Sequence, residues 1–233
     1  MFETVQKLVD VQSLALAVQK IQFKVAMKKI KIDVISDVVC PWCYIGKKRL
    51  QDAMDEGAEE FDFEVNWKPY QLHPDLPKEG MEKEAFARYK FGKGAEEIFQ
   101  QVEVAARGEE LPMDMSILEV IPNTAEAHRL MYLCRQEEKD EALGLELFKS
   151  FFVEGADLSN VEELLAKAKK VGVSQEVIDT FNNTSAGDEE ARREEALYRQ
   201  AGVNAVPSFI INDKYIIRGA QAAETFLQCF KDV

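Results

Sequence analysis

Apolar and polar residues alternate over Ile30–Ser36. Ile30, Ile32 and Val34 fall on one side and Lys31 and Asp33 on the other, the two-residue period of a β-strand. Tyr44–Glu56 changes to a helical period and is closed by Gly57. Phe61–Trp67 alternates again, with Phe61, Phe63, Val65 and Trp67 on one face. Strand, helix and strand in such quick succession predict a βαβ unit whose strands are parallel.

Pro69–Gly80, "PYQLHPDLPKEG", holds three prolines and a glycine in 12 residues and reads as a connection. From Met81 to Gly187 the pattern is helical and free of strands. Helices are expected at 82–90 and 95–107, and at 123–138, where Asn123 caps and Glu126 reaches back. Further helices follow at 140–153, at 160–172 behind an Asn160 cap, and behind Ser174. Asp188–Gln200 is a charged helix ended by Gly202. "VPSFIINDKYIIRG" reads as two short strands joined at Asn212–Asp213, residue types that accept positive φ. The last helix is expected at 221–230. The predicted fold is α/β: β-α-β, then α-β-β-α, with a large all-helical insertion between the halves. The boundaries are 27–77 plus 188–233 for the α/β part and 78–187 for the inserted helices.

Residues 1–26 stand apart as an N-terminal extension. Val11, Leu14, Val18, Ile21 and Val25 have heptad-like spacing, which suggests a helix and a homodimer contact. The apolar run Leu14–Val18 is too short to span a membrane. Asp10, Lys20 and Glu3 do not suit a secretory signal, so a cytoplasmic protein is expected. The 233 residues carry a net charge of −13, which disfavours nucleic acid and anionic membranes as partners. Lys47-Lys48-Arg49 reads as a solvated helix face.

Four cysteines are too few for a disulfide scaffold. Cys134 and Cys229 lie in helix-like stretches and read as small core residues. Cys40 and Cys43, in "SDVVCPWCYIG", sit at a strand–helix junction. Helix N-termini favour negative charge, and Pro41 suits the first helical position. Cys40 is therefore the expected exposed nucleophile and Cys43, one turn on, the resolving thiol. Pro41 and Trp42 between them are the expected tuning residues. A closed zinc site would need a second ligand pair, and His73 and His128 are isolated in the sequence. His73 reads as an exposed loop histidine and His128 as a hydrogen-bonded packing residue.

Val206-Pro207 supplies a second signal, because a proline opening a strand is often cis. C-x-x-C after the first strand and Val-Pro before the third resemble the thioredoxin fold. The segments "SDVVCPWCYIGKKRL", "VNWKPYQLHPDLPKEG", "NTAEAHRL", "FFVEGADLSN" and "GVNAVPSFIINDKYIIRGAQ" narrow this. From Lys31 to Phe230 the chain resembles the DsbA-like family in its FrnE-like branch. That branch is related to 2-hydroxychromene-2-carboxylate isomerases and kappa-class glutathione transferases.

The resemblance implies a dithiol–disulfide oxidoreductase or isomerase with Cys40 as nucleophile, Cys43 as resolver and Pro207 as the cis-proline. Substrate would lie against Val206 and Pro207. It also implies that the helix over Asn123–Leu130 faces the site, which makes His73, Asn123 and His128 candidate near-site residues. No bound cofactor or metal is implied; glutathione or a thioredoxin-type reductant would be cosubstrate. The partner would be a disulfide- or thiol-containing protein or small molecule. Those isomerases and transferases typically have serine at the Cys40 position and bind glutathione, so the retention of both cysteines argues for dithiol chemistry, with a glutathione-dependent isomerase or transferase as the alternative. A non-enzymatic redox-sensing protein is a further one.

Overall fold

The computed structural model describes residues 27–233; the extension over 1–26, with its heptad-like spacing, lies outside the described residues. β1 (Lys28–Ser36) pairs in parallel with β2 (Phe61–Pro69) and antiparallel with β5 (Ser208–Ile211). β6 (Tyr215–Arg218) completes a four-stranded sheet of order β2-β1-β5-β6. α1 (Pro41–Glu56) is the crossover from β1 to β2, as a parallel pair requires. Asn212 and Asp213, with φ of 50° and 56°, turn β5 into β6, matching the strand twist.

β1 is buried on both faces. Ile30, Ile32 and Val34 pack against Leu50 and Ala53 of α1 and against Phe226 and Phe230 of α9 (Ala223–Asp232). Ile35 points the other way, toward Tyr70 and Val203. Asp33 is also buried, with the Tyr198 hydroxyl of α8 (Asp188–Gln200) 3.4 Å from its Oδ2. Burial raises its carboxyl above the ordinary aspartate range.

The inserted helices are α2 (Lys83–Phe91), α3 (Ala95–Gly108), α4 (Ala125–Cys134), α5 (Asp140–Glu154), α6 (Val161–Lys170) and α7 (Gln175–Asn183). Their apolar residues share one hydrophobic cluster with Val38, Cys40, Cys43 and Trp67. Phe148 of α5 stacks on Tyr44 of α1 at 5.1 Å between ring centroids and tilts against Trp67 at 5.6 Å. The insertion therefore packs directly behind the cysteine-bearing helix.

Asn160 and Ser174 cap α6 and α7 as expected, accepting from the Glu162 and Val177 amides. The helix of α4 tightens into a 3-10 turn over Arg135–Glu137 and ends at Glu138 as expected, where φ is 55° and the Lys139 amide returns to the Cys134 carbonyl at 3.1 Å. Three other expectations fail. The helical block does contain strands: β3 (Met81–Glu82) and β4 (Val120–Ile121) pair antiparallel, after Gly80 turns the chain at φ 82°. Asn123 accepts from the Ala125 amide, but Glu126 pairs with Arg129 at 3.0 Å instead of reaching back. Lys47-Lys48-Arg49 is not a solvated face. Lys47 is 2% exposed and pairs with Glu141 of α5 at 2.7 Å. Arg49 is held by Glu109.

Candidate active site

β1 ends at Ser36, and a tight turn delivers Cys40 to the start of α1. The Cys40 amide donates to the Asp37 carbonyl at 3.0 Å, and the Cys40 carbonyl accepts from the Cys43 and Tyr44 amides at 3.0 and 3.2 Å. Cys40 is thus the helix cap residue and Pro41 takes the first helical position, where its missing amide hydrogen costs nothing.

The other wall is the Val206–Pro207 peptide, which is cis. The Cys40 thiol donates to the Val206 carbonyl at 3.8 Å, within sulfur hydrogen-bond reach. Pro207 lies over Gly46 of α1, where a Cβ would stand 3.0 Å from its Cγ. The Pro207 carbonyl accepts from the Gly219 amide at 2.8 Å. Cys40, Pro41, Trp42, Cys43, Val206 and Pro207 are therefore brought together.

One expectation about this group is corrected. Cys40 is not exposed: it retains 4% of its surface, because Val206 packs beside it in the same cluster. The open residue is Trp42, at 42%. Cys43 is buried at 1%. Burial, and then the adjacent Cys40 sulfur, push its thiol well above a free cysteine's range; the Ser36 hydroxyl and Asp37 amide pull the other way. All four cysteines are free thiols. Cys134, buried in α4, is pushed up to about 12, chiefly by burial, which makes it a poor nucleophile.

Asp37 is a functional candidate that sequence reasoning missed. It is fully buried. Its Oδ2 accepts from the Leu72 amide at 2.7 Å and its Oδ1 lies 3.2 Å from His128 Nε2. His128 thus keeps its expected hydrogen-bonded packing role, and its partner is the loop that carries Cys40. A charged residue inside the apolar run "VISDVVC" was the available signal, since a buried acid needs such partners. Asn123 accepts from Gln71 Nε2 at 3.1 Å and donates to the Leu76 carbonyl at 2.8 Å, so it secures the proline-rich connection.

His73 is half-buried, not exposed. Its ring meets Phe86 at 4.7 Å in a groove of about 210 Å³ shared with Leu72, Leu76, Met81 and Tyr89. Burial, and then Lys90, lower its pKa. Among the described residues, no group of three or more His, Cys, Asp or Glu could hold a metal ion. No helix there is long and apolar enough to cross a membrane.

Residues 31–231 match the model of the DSBA-like thioredoxin domain. The Bacillus subtilis protein YwbO is 25% identical over 206 residues, covering 87% of this chain and 96% of that protein. Among solved structures, a probable DsbA oxidoreductase from Streptomyces coelicolor superposes with a TM-score of 0.79 at 26% identity, over 87% of this chain and 89% of that one. The cytosolic disulfide reductase DsbM of Pseudomonas aeruginosa, solved with GSH, shares the fold at a TM-score of 0.64 and 15% identity, over 87% of this chain and 100% of its own.

Proposed function

Because the chain belongs to the DSBA-like thioredoxin domain family, we propose that it is a thiol–disulfide oxidoreductase that works through a mixed disulfide on Cys40. The observation that carries this reading is the Cys40 sulfur set 3.8 Å from the Val206 carbonyl, with Cys43 one helical turn behind. The Cys40 thiolate attacks a substrate disulfide. One substrate sulfur leaves with the electron pair and the other is bonded to Cys40. Cys43 then attacks Cys40 and releases the second substrate thiol.

The surroundings suit an extended substrate. On ionisation Cys40 loses the proton it gives to the Val206 carbonyl. That carbonyl is then free to accept from a substrate backbone amide, as an added strand would require. Trp42, 42% exposed, offers an apolar contact at the rim. The partner is a disulfide-bearing protein or small molecule. Glutathione or a thioredoxin-type protein serves as reductant, as the DsbM structure with GSH supports by analogy of fold. Action in the cytoplasm, where a dithiol is kept reduced, favours disulfide reduction or isomerisation over net oxidation.

The test is equilibration in glutathione redox buffers, with thiol trapping and mass spectrometry, alongside turnover of a disulfide substrate. A reversible Cys40–Cys43 disulfide is expected, and Cys40→Ser should abolish turnover. Intact glutathione binding without such a disulfide would instead indicate an isomerase or transferase. A disulfide that forms but turns over nothing would indicate a sensor.

A further inference from the structure

We infer that the groove between the proline-rich connection and α2 is a subsite for one aromatic side chain of a polypeptide substrate. The inference rests on the oxidoreductase reading above and names the class of substrate for it.

The groove adjoins the cysteine-bearing turn through Leu72, which lines it. The Leu72 amide donates to Asp37 Oδ2 at 2.7 Å, and the Asp37 carbonyl accepts from the Cys40 amide at 3.0 Å. Leu72 and Val206 also pack on the same buried residues, Ile35, Tyr70 and Val203. Leu72 thus joins the groove to the Val206 wall of the site.

Size decides what can enter. The groove holds about 210 Å³, less than the roughly 300–1,000 Å³ of pockets that enclose a whole small-molecule ligand. It has room for one large side chain of a bigger partner.

The lining decides the kind of side chain. Leu72, Leu76, Met81 and Phe86 are apolar. The His73 ring meets Phe86 edge-on at 4.7 Å, and Phe86, Phe91 and Phe99 continue the series at 6.1 and 6.0 Å. Rings packed edge to face attract one another beyond the area they bury. A further ring entering beside His73 extends that series. Tyr89, 80% exposed, offers it a second aromatic surface at the rim.

Charge does not compete with the ring. Lys90 and Asp75 both line the groove, are exposed and are opposite in sign. Burial, and then Lys90, hold His73 toward its neutral form. Among the described residues its ring has no hydrogen-bond partner. A neutral imidazole has one donor and one acceptor nitrogen, so it can meet a tyrosine hydroxyl or an indole N–H, which seek a partner when buried. Tyrosine and tryptophan are therefore preferred, phenylalanine follows, and small or acidic side chains come last.

The experiment uses the reduced full chain and short peptides, each with one cysteine held as a mixed disulfide with methanethiol. That leaving group is too small and too weakly polar to occupy the groove itself. Tyrosine, phenylalanine, glutamate or alanine is placed at successive positions on either side of the cysteine. Acid quenching and mass spectrometry give the rate constant for reduction of each peptide. At the best position the tyrosine peptide should react about tenfold faster than the alanine peptide, the return on burying most of a ring. The glutamate peptide should gain nothing. In Leu76→Trp the indole fills the groove, and the tyrosine-to-alanine ratio should fall to near one. His73→Phe should bring tyrosine down to the level of phenylalanine. Should Leu76→Trp fail to fold, Tyr89→Ala, at an exposed position, takes over and should lower the ratio several-fold. Equal rates for tyrosine and alanine at every position overturn the subsite, as does a tyrosine preference that these groove variants leave intact. If the wild-type protein reduces none of the peptides, or Cys40→Ser reduces them equally well, the oxidoreductase reading itself fails and the subsite with it.

Discussion

Gly46 shows how a single missing side chain shapes the site. A glycine inside a helix costs about 1 kcal/mol relative to alanine, so its presence in α1 needs a cause. A Cβ there would meet Pro207 Cγ at 3.0 Å and Phe209 Cζ at 3.2 Å, which is closer than ordinary packing. Gly46→Ala therefore gains about 1 kcal/mol of helix propensity and loses about 1–3 kcal/mol to overpacking. The expected net change is a destabilisation below about 2 kcal/mol, read from the denaturant midpoint. The Pro207 loop must move away from Cys40 to relieve the contact, so the rate of Cys40 attack on a disulfide should fall several-fold. An unchanged rate would mean that the spacing over Gly46 does not set Cys40 reactivity. The placement of Cys40, Cys43 and Pro207 was legible in the sequence because it depends on residue type and local position. Gly46 and Asp37 were not, because each matters only for what it touches after β5 and α4 have folded against α1. The burial of Cys40 was missed for the same reason, since Val206 arrives from the far end of the chain.

Element boundaries were read well wherever the signal was local. Asn160, Ser174 and Asn212–Asp213 all do what their side chains or tolerance of positive φ allow. The failure at Lys47 is instructive: a run of three basic residues on a helix reads as solvent-facing until α5 covers it. Lys47 Nζ, fully enclosed, is left with Glu141 at 2.7 Å and Gln51 Oε1 at 3.1 Å. Removing one partner of a buried ion pair commonly costs about 3–5 kcal/mol. Here the loss should be smaller, because the Glu141 side chain is 37% exposed and Gln51 remains as an acceptor. Glu141→Ala should therefore destabilise by about 1–2 kcal/mol. Lys47→Met, which removes the enclosed charge and keeps the stem, should stay within about 1 kcal/mol of wild type or exceed it. Denaturant unfolding of the two variants checks the asymmetry. Equal losses would mean that the pair itself holds α1 against α5.

For the whole molecule, the order of elements gave the sheet and the insertion, because parallel pairing and capping follow from short-range pattern. What pattern cannot give is how the insertion meets the cysteine-bearing loop, and that contact is His128 to Asp37, 91 positions apart in sequence and 3.2 Å apart in space. The turn that carries Cys40 is thus fastened on one side by the proline-rich connection, through Leu72, and on the other by α4. His128→Ala would leave the fully buried Asp37 carboxyl with the Leu72 amide as its remaining side-chain partner. The cost should be about 1–3 kcal/mol, the price of an unsatisfied buried polar group. It should also reach the site, because the Asp37 carbonyl accepts from the Cys40 amide. The expected outcome is a lower unfolding midpoint together with a shifted Cys40–Cys43 redox midpoint in glutathione buffers. His128→Gln, which keeps a side-chain donor, should recover much of both. A variant that loses stability while its redox midpoint stays fixed would make α4 a packing support alone. A joint shift would mean that the inserted helices set the chemistry of a cysteine pair they do not themselves contain.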